Sequence, residues 1–424
     1  MENKFLKLPF HYGWVVVAVA MLAVFACIGL GRLALGMLLP SMGSDLGLNY
    51  AQMGTISAGN FVGYLAAVLL CGWMVNRLGS CKVIALGLLT VGASMMLISR
   101  TNHYPTVLVL YVLTGIGSGA ANMPVMGLVA HWFKARSRGR AGGLLMAGNG
   151  LGIILSGTMI PMLTASQGVA GWRDGWLMLG LVVMLITLLS ALFLRDNPER
   201  MGLAPIGNEM GRVEQKPSIR AMQPSMKTPR WLLAHVGALF FFFCFTYVIY
   251  ATFIVTTLVE EMGFSEAKAS HLWIWIGFCA LFSGPLFGTL SDRIGRGAGM
   301  MCVFAVQTCA YLLTASHLDG YWMYLSATLY GLSAFSIPSI VVATLSDYLP
   351  RHKVTGALGQ VSFFASLGQI AGPSLAGTLA QASGNFSSSY LLAACVTGVA
   401  MVMAALLPKL QEDCIPKFAI ESQG

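Results

Sequence analysis

Apolar residues run through the chain in twelve blocks, at roughly 12–40, 51–75, 82–100, 105–133, 139–165, 174–195, 231–259, 268–291, 297–316, 320–348, 354–382 and 386–408. Short polar breaks separate them. A helix that crosses a bilayer needs about 20 mainly apolar residues, and each block is close to that length or longer. None alternates apolar and polar positions with a period of two, as a barrel strand would. Only helices and closed barrels satisfy the backbone in lipid, so the pattern predicts an all-α polytopic membrane protein with twelve transmembrane helices.

Composition agrees. Of the 424 residues 56% are hydrophobic and 10% are charged, where a soluble domain carries about 25% charged residues. So few charges cannot cover a water-exposed surface, which excludes a soluble enzyme, a nucleic-acid binder and a disordered chain. The net charge of +9 does not reinstate nucleic acid as a partner, because the basic residues sit in the breaks. With the N-terminus in the cytoplasm, 21 of the 25 Lys and Arg fall in cytoplasmic segments. Arg100, Arg173 and Lys268 fall outside, and Arg32 lies inside the first block. That asymmetry predicts both termini in the cytoplasm, and the short loops suggest a bacterial inner membrane. The first block follows Lys4 and Lys7 but is too long for the apolar region of a signal peptide. The nine cysteines are scattered without CxxC spacing and read as small buried hydrophobes, with no metal site or disulfide framework expected.

One stretch is polar and rich in proline. Residues 196–230 contain Pro198, Pro205, Pro217, Pro224 and Pro229 and read as a cytoplasmic linker. It divides the chain into residues 1–195 and 231–408, each with six blocks, followed by a tail at 409–424. The halves repeat weakly. Gly72-Trp-Met-Val-Asn-Arg-Leu-Gly79 recurs as Gly288-Thr-Leu-Ser-Asp-Arg-Ile-Gly295, and Gly139-Arg-Ala recurs as Gly356-Ala-Leu, at offsets of 216 and 217 residues. Two matches at one spacing indicate two six-helix bundles related by a pseudo-two-fold axis along the membrane normal.

On these residues the chain resembles the major facilitator superfamily along nearly its whole length. Gly288, Asp292, Arg293, Gly295 and Arg296 match that family's loop motif in full. The first copy departs from it, with Asn76 in the acid's place beside Arg77 and Lys82 standing late. Within the family, His131-Trp-Phe-Lys-Ala-Arg-Ser-Arg-Gly-Arg-Ala141 and Gly13-Trp-Val-Val-Val17 resemble the monocarboxylate and oxalate/formate branches. The resemblance implies a monomeric secondary transporter working by alternating access, with a central cavity lined by spans 1, 4, 7 and 10. It implies further that Arg77, Asp292, Arg293 and Arg296 latch the cytoplasmic side when the carrier opens outward.

Arg32 is the one full charge well inside a span, and none of the sixteen acids lies mid-span. A buried Arg costs a few kcal/mol or more and needs a partner or a wet cavity. An anionic substrate would supply the counter-ion, since guanidinium grips a carboxylate with two parallel hydrogen bonds. The other reading places Arg32 at the headgroups or beside Asp45. Gly29, Gly31 and Gly36 flank it, so the helix is expected to bend there. Polar side chains in the cavity spans are candidate substrate contacts: Asn122 in span 4, Tyr247 and Tyr250 three apart in span 7, and Tyr330 and Ser333 in span 10. Helix–helix packing is the competing role for each. Glycines four apart in spans 5 and 11 read as close-packing surfaces, near which Asn149, Gln360 or Gln369 could reach the cavity.

No mid-span carboxylate is present to relay protons, and His235 and His271 read as interfacial. Span 8 lacks the Asp/Arg pair of monocarboxylate carriers, and span 11 lacks the Lys of oxalate exchangers. Coupling is therefore open between proton symport and exchange. No Gly-Lys dipeptide, HExxH or GxSxG occurs, so no ATPase, other enzyme activity or cofactor is expected. The leading expectation is a carrier of a small organic anion, a carboxylate first. Efflux of hydrophobic compounds and a non-transporting membrane sensor remain as alternatives.

Overall fold

The structure, a computed structural model, describes residues 11–206, 230–318, 320–349 and 351–412. The central part of the expected linker and the end of the expected tail lie outside the described residues. Among the described residues there are twelve long helices: α1 Gly13–Leu46, α2 Tyr50–Leu78, α3 Ser80–Ile98, α4 Tyr104–Trp132, α5 Ala135–Gln167, α6 Gly171–Phe193, α7 Arg230–Glu261, α8 Glu266–Ile294, α9 Arg296–Ala315, α10 Tyr321–Tyr348, α11 Arg351–Ser383 and α12 Ser387–Glu412. They pack as two six-helix bundles.

Two spans depart from uniform helices. α1 was expected to stop near Pro40, but it continues to Leu46 and ends at Gly47, whose φ of +61° is the left-handed stop a glycine takes at low cost. Its middle, Phe25–Leu33, is wound as a π-helix, the wide turn that frees backbone groups and often marks function. The Ser118 hydroxyl of α4 donates to the Cys27 carbonyl there at 2.7 Å. α10 breaks at Ala334–Phe335, because Pro338 has no N–H for the Ala334 carbonyl. The Phe335 N–H turns instead to Ser283 of α8, at 3.0 Å.

Glycines set how closely the helices approach. Within the halves, Gly148 and Gly152 of α5 lie on Phe25 and Gly29 of α1, while Gly368 and Gly372 of α11 lie on Phe241 and Phe245 of α7. The expected close packing of spans 5 and 11 is therefore present. Between the halves, Gly36 meets Ala251, Gly54 meets Pro373, Gly377 meets Tyr50 and Gly150 meets Gly277. Hydrogen bonds join the halves at Ser57 to Thr252 (3.1 Å), Trp273 Nε1 to Ser156 (3.1 Å) and the Tyr50 N–H to Gln381 (3.1 Å). All three lie in the parts of the helices remote from the termini, and Tyr50 also stacks on Phe386 there, with ring centres 4.8 Å apart. On the termini side, no atom of the described residues comes within 4 Å of the Cβ position of Gly127, Gly143, Gly284, Gly288, Gly356 or Gly359. The contacts that join the halves lie on the face away from the termini.

The repeat is visible in side-chain chemistry. Asp45, at the end of α1, accepts from Trp172 Nε1 at 2.9 Å and pairs with Arg173 at 2.8 Å, both at the start of α6. Glu261, 216 residues later at the end of α7, accepts from the Phe386 N–H at 2.8 Å, just before α12, and lies 3.1 Å from His317. Each half ties its first helix to its last through a carboxylate at the same end.

Candidate functional site

Arg32 lies near the middle of α1, within the π-helical turn, and keeps 9% of its surface exposed. Its Nε donates to Asn60 Oδ1 of α2 at 3.2 Å. Asn60 is held in turn by donating to the Tyr111 carbonyl at 3.3 Å, and the Tyr111 hydroxyl donates to the Arg32 carbonyl at 3.1 Å. This ring of bonds fixes the backbone and the Nε edge of the guanidinium. Its flat face lies against Phe61 and Tyr64, with Cζ 4.6 Å and 4.4 Å from the ring centres, the cation–π geometry that holds an arginine without neutralising it.

The outer edge of the guanidinium is free. Arg32 Nη2 is buried with no hydrogen-bond partner, and no ion pair to Arg32 occurs among the described residues. Asp45, the acid weighed as its partner, is bound to Arg173. A buried cationic donor left unmatched is costly, and here it stands where the two halves meet.

Around it are polar groups of several helices. Asn122 of α4 donates to the Tyr64 hydroxyl at 2.9 Å. Across the interface, Gln369 of α11 donates to the Tyr247 hydroxyl of α7 at 3.0 Å. Tyr247 stands four residues before Ala251, the residue that Gly36 meets, as Arg32 stands four before Gly36. Tyr64, Asn122 and Tyr247 each keep 8–9% exposure. Asn149 of α5 is buried, with Oδ1 unpartnered. It falls between the α5 face that meets α1 at Gly148 and the face that meets α8 at Gly150, and so points inward.

The residues singled out in the sequence therefore divide. Arg32, Asn122 and Tyr247 come together at the centre. Tyr250, Tyr330 and Ser333 lie inside the second half with their hydroxyls engaged. Tyr250 stacks on Tyr330 with ring centres 4.0 Å apart and bonds Ser326 at 2.9 Å. The Tyr330 hydroxyl donates to the Tyr247 carbonyl at 2.8 Å, and Ser333 donates to the carbonyls of Leu329 and Tyr330. Tyr330 thus props the backbone that carries Tyr247. Sequence reasoning passed over Asn60, Phe61 and Tyr64. Their signal was an amide and a phenol four apart on α2, hence on one helix face.

The loop residues sit at the termini face. Arg296 bridges Asp347 (2.7 Å) and Asp292, joining the ends of α8 and α10 within one half. Arg293 is exposed. In the first half Arg77 lies over Trp73 at 5.2 Å. The acid missing at Asn76 has a counterpart in Asp196, which accepts from the Cys81 N–H at 2.9 Å at the start of α3.

A family model described as Major Facilitator Superfamily matches residues 21–337 and 236–419. The hexuronate transporter of Bacillus subtilis (strain 168) is 23% identical over 86% of this chain and 87% of its own. The 3-(3-hydroxy-phenyl)propionate transporter of Escherichia coli (strain K12) is 26% identical over 93% of this chain and 91% of its own. Among solved structures, a bacterial homologue of the human lysosomal transporter Spinster, inward-facing and occupied, superposes with a TM-score of 0.71 at 15% identity, over 95% of this chain and 98% of that one.

Proposed function

The chain belongs to the major facilitator superfamily, and on that premise we propose that it is a secondary transporter of a small organic anion, with a carboxylate bound at Arg32. The observation that carries this reading is the unpartnered, buried Nη2 of Arg32 at the meeting of the halves. A carboxylate there would accept two parallel hydrogen bonds and cancel the charge. The related hexuronate and 3-(3-hydroxy-phenyl)propionate transporters are named for carboxylates, which favours the same class.

On this reading the face bearing the termini is cytoplasmic, in keeping with 21 of 25 basic residues on that side, and the form described is the one open to the cytoplasm. The halves 1–195 and 231–408 rock about the site, with 196–230 as the connection. The carrier works as a monomer, in exchange or with protons. Because no carboxylate lies near Arg32 among the described residues, a coupled proton would travel without a relay acid at that position.

Uptake into proteoliposomes of a panel of labelled carboxylates, with and without an imposed proton gradient, tests the proposal. One or more acids should accumulate above empty vesicles. Acceleration by an inward proton gradient assigns symport, and dependence on internal anion assigns exchange. If no carboxylate moves while hydrophobic cations do, the anion reading falls and efflux replaces it. If nothing moves but ligands bind, the sensor reading takes its place.

The loop cluster carries a smaller expectation. In the form open to the cytoplasm, Asp292 and Arg296 bond within one half. We assign the Asp292, Arg293 and Arg296 latch, with Arg77 in its weaker copy, to the outward-open form. Exposed pairs of this kind are worth about 0.2–1 kcal/mol, so Asp292→Asn should slow transport about two- to fivefold while leaving KM nearly unchanged. Initial rates across a substrate series check this.

A further inference from the structure

Resting on the anion reading above, we infer that Tyr64 and Tyr247 complete the carboxylate site, one from each half, and that the site accepts a single negative charge. Both phenols are set by amides. Asn122 Nδ2 donates to the Tyr64 oxygen at 2.9 Å, and Gln369 Nε2 donates to the Tyr247 oxygen at 3.0 Å. A phenol whose oxygen accepts from an amide still holds its own proton. Among the described residues, neither hydroxyl proton is given an acceptor. Each ring keeps 8% of its surface exposed, and a hydroxyl proton at such a place is available to an incoming acceptor.

The three donors stand at one level of the fold. The Tyr64 ring lies against the Arg32 guanidinium at 4.4 Å, and Tyr247 stands four residues before Ala251, the residue that Gly36 meets, as Arg32 stands four before Gly36. One group answers all three at once: an oxyanion with several lone pairs, seated against Nη2 and accepting from a phenol on each side. Asn122 and Gln369 are then positioning residues, which aim the hydroxyls without touching the substrate.

The same inventory sets the charge. Arg32 is the one Lys or Arg at the centre of the described helices, and the remaining polar groups there, Asn122, Asn149 and Gln369, are neutral amides. A second carboxylate, or the second charge of a phosphate monoester, would enter a low-dielectric site without a counter-ion. The clamp therefore selects monocarboxylates. It also couples binding to movement, because an anion held by Tyr64 and Tyr247 draws on both halves.

The test uses purified full-length protein in proteoliposomes, with glucuronate and 3-phenylpropionate as the monocarboxylate probes. Tartrate and glucose 6-phosphate serve as dianionic competitors. Tyr64→Phe and Tyr247→Phe keep the rings and remove only the hydroxyls, and thermal unfolding confirms that each variant folds. Each should raise KM for the transported acid about tenfold or more, as expected for a hydrogen bond to a charged group. Asn122→Leu and Gln369→Leu should each raise KM in the same direction by a smaller factor. The dianions should compete at least tenfold less well than the monocarboxylates. If both Phe variants stay within twofold of the wild type while Arg32→Gln abolishes uptake, the clamp is wrong and the anion reading survives. Equal competition by the dianions overturns the single-charge assignment. If neither probe binds the wild-type protein and Arg32→Gln is indifferent, the anion reading fails and the clamp with it.

Discussion

Arg32→Gln should cut carboxylate uptake by about two orders of magnitude while leaving a protein at least as heat-stable as the wild type. The first half follows from the bound state. Removing one side of a buried, hydrogen-bonded charge pair costs about 2–5 kcal/mol, and about 1.4 kcal/mol is tenfold in affinity. KM should therefore rise by a factor of roughly thirty to a few thousand. The second half follows from the empty state. There the guanidinium is buried and pressed on Phe61 and Tyr64, with Nη2 unmatched and no acid paired to it among the described residues. Deleting an unpaired charge removes a cost rather than a bond, and a glutamine can still reach Asn60. Arg32→Lys should also fail, since an ammonium cannot offer two parallel donors or lie flat on the rings. Initial rates and thermal unfolding, measured on the same preparations, separate the outcomes. A variant that melts early and transports normally would make Arg32 a structural residue and would remove the basis for an anionic substrate.

Much of this molecule was legible in the sequence, for a physical reason. Lipid forces every backbone group to be satisfied within the helix, so each span writes itself as a long apolar run, and all twelve were found. The duplication was legible because Gly288 to Gly295 repeats Gly72 to Gly79, and the structure extends it to Asp45 and Glu261, which no motif flagged. Arg32 stood out because a lone charge in an apolar run is expensive. Its surroundings did not. Asn60, Phe61 and Tyr64 belong to α2, outside the spans expected to line the cavity, and only the fold places them on the guanidinium. Tyr247 and Tyr250, three apart in sequence, were read as one face. The structure sends Tyr247 to Gln369 and Tyr250 into a packed cluster with Ser326 and Tyr330. Periodicity fixes which residues share a side of a helix, but not which neighbour that side meets. Proline alone does not decide a break: α10 breaks before Pro338, whereas α1 passes through Pro40, because proline is tolerated in lipid where neighbours satisfy the freed group.

Gly54→Val should reduce net transport to near background while sparing the binding site. Gly54 stands on α2 where α11 crosses it on the closed face. A Cβ there would fall against the Pro373 carbonyl oxygen, 3.1 Å from the Pro373 carbonyl carbon and 3.3 Å from Gly377 Cα. These are backbone atoms of the other half, so no side chain can swing aside, and the helices must separate. Overpacking costs typically about 1–3 kcal/mol and sometimes more, which shifts a two-state equilibrium about five- to 150-fold. The proposed cycle passes through the form closed on this face once per turnover, so a carrier denied that form stalls facing outward. Gly54→Ala should give an intermediate loss. The equilibrium can be read directly, because Ser57 and Thr252 hydrogen-bond across the same face at 3.1 Å. A Ser57→Cys, Thr252→Cys pair should cross-link readily in the parent and poorly with Gly54→Val added, while substrate still binds. Full cross-linking with normal uptake would show that the halves close without this contact. Loss of cross-linking with normal uptake would show that closure of this face is not part of the cycle, which would remove alternating access about Arg32 as the mechanism.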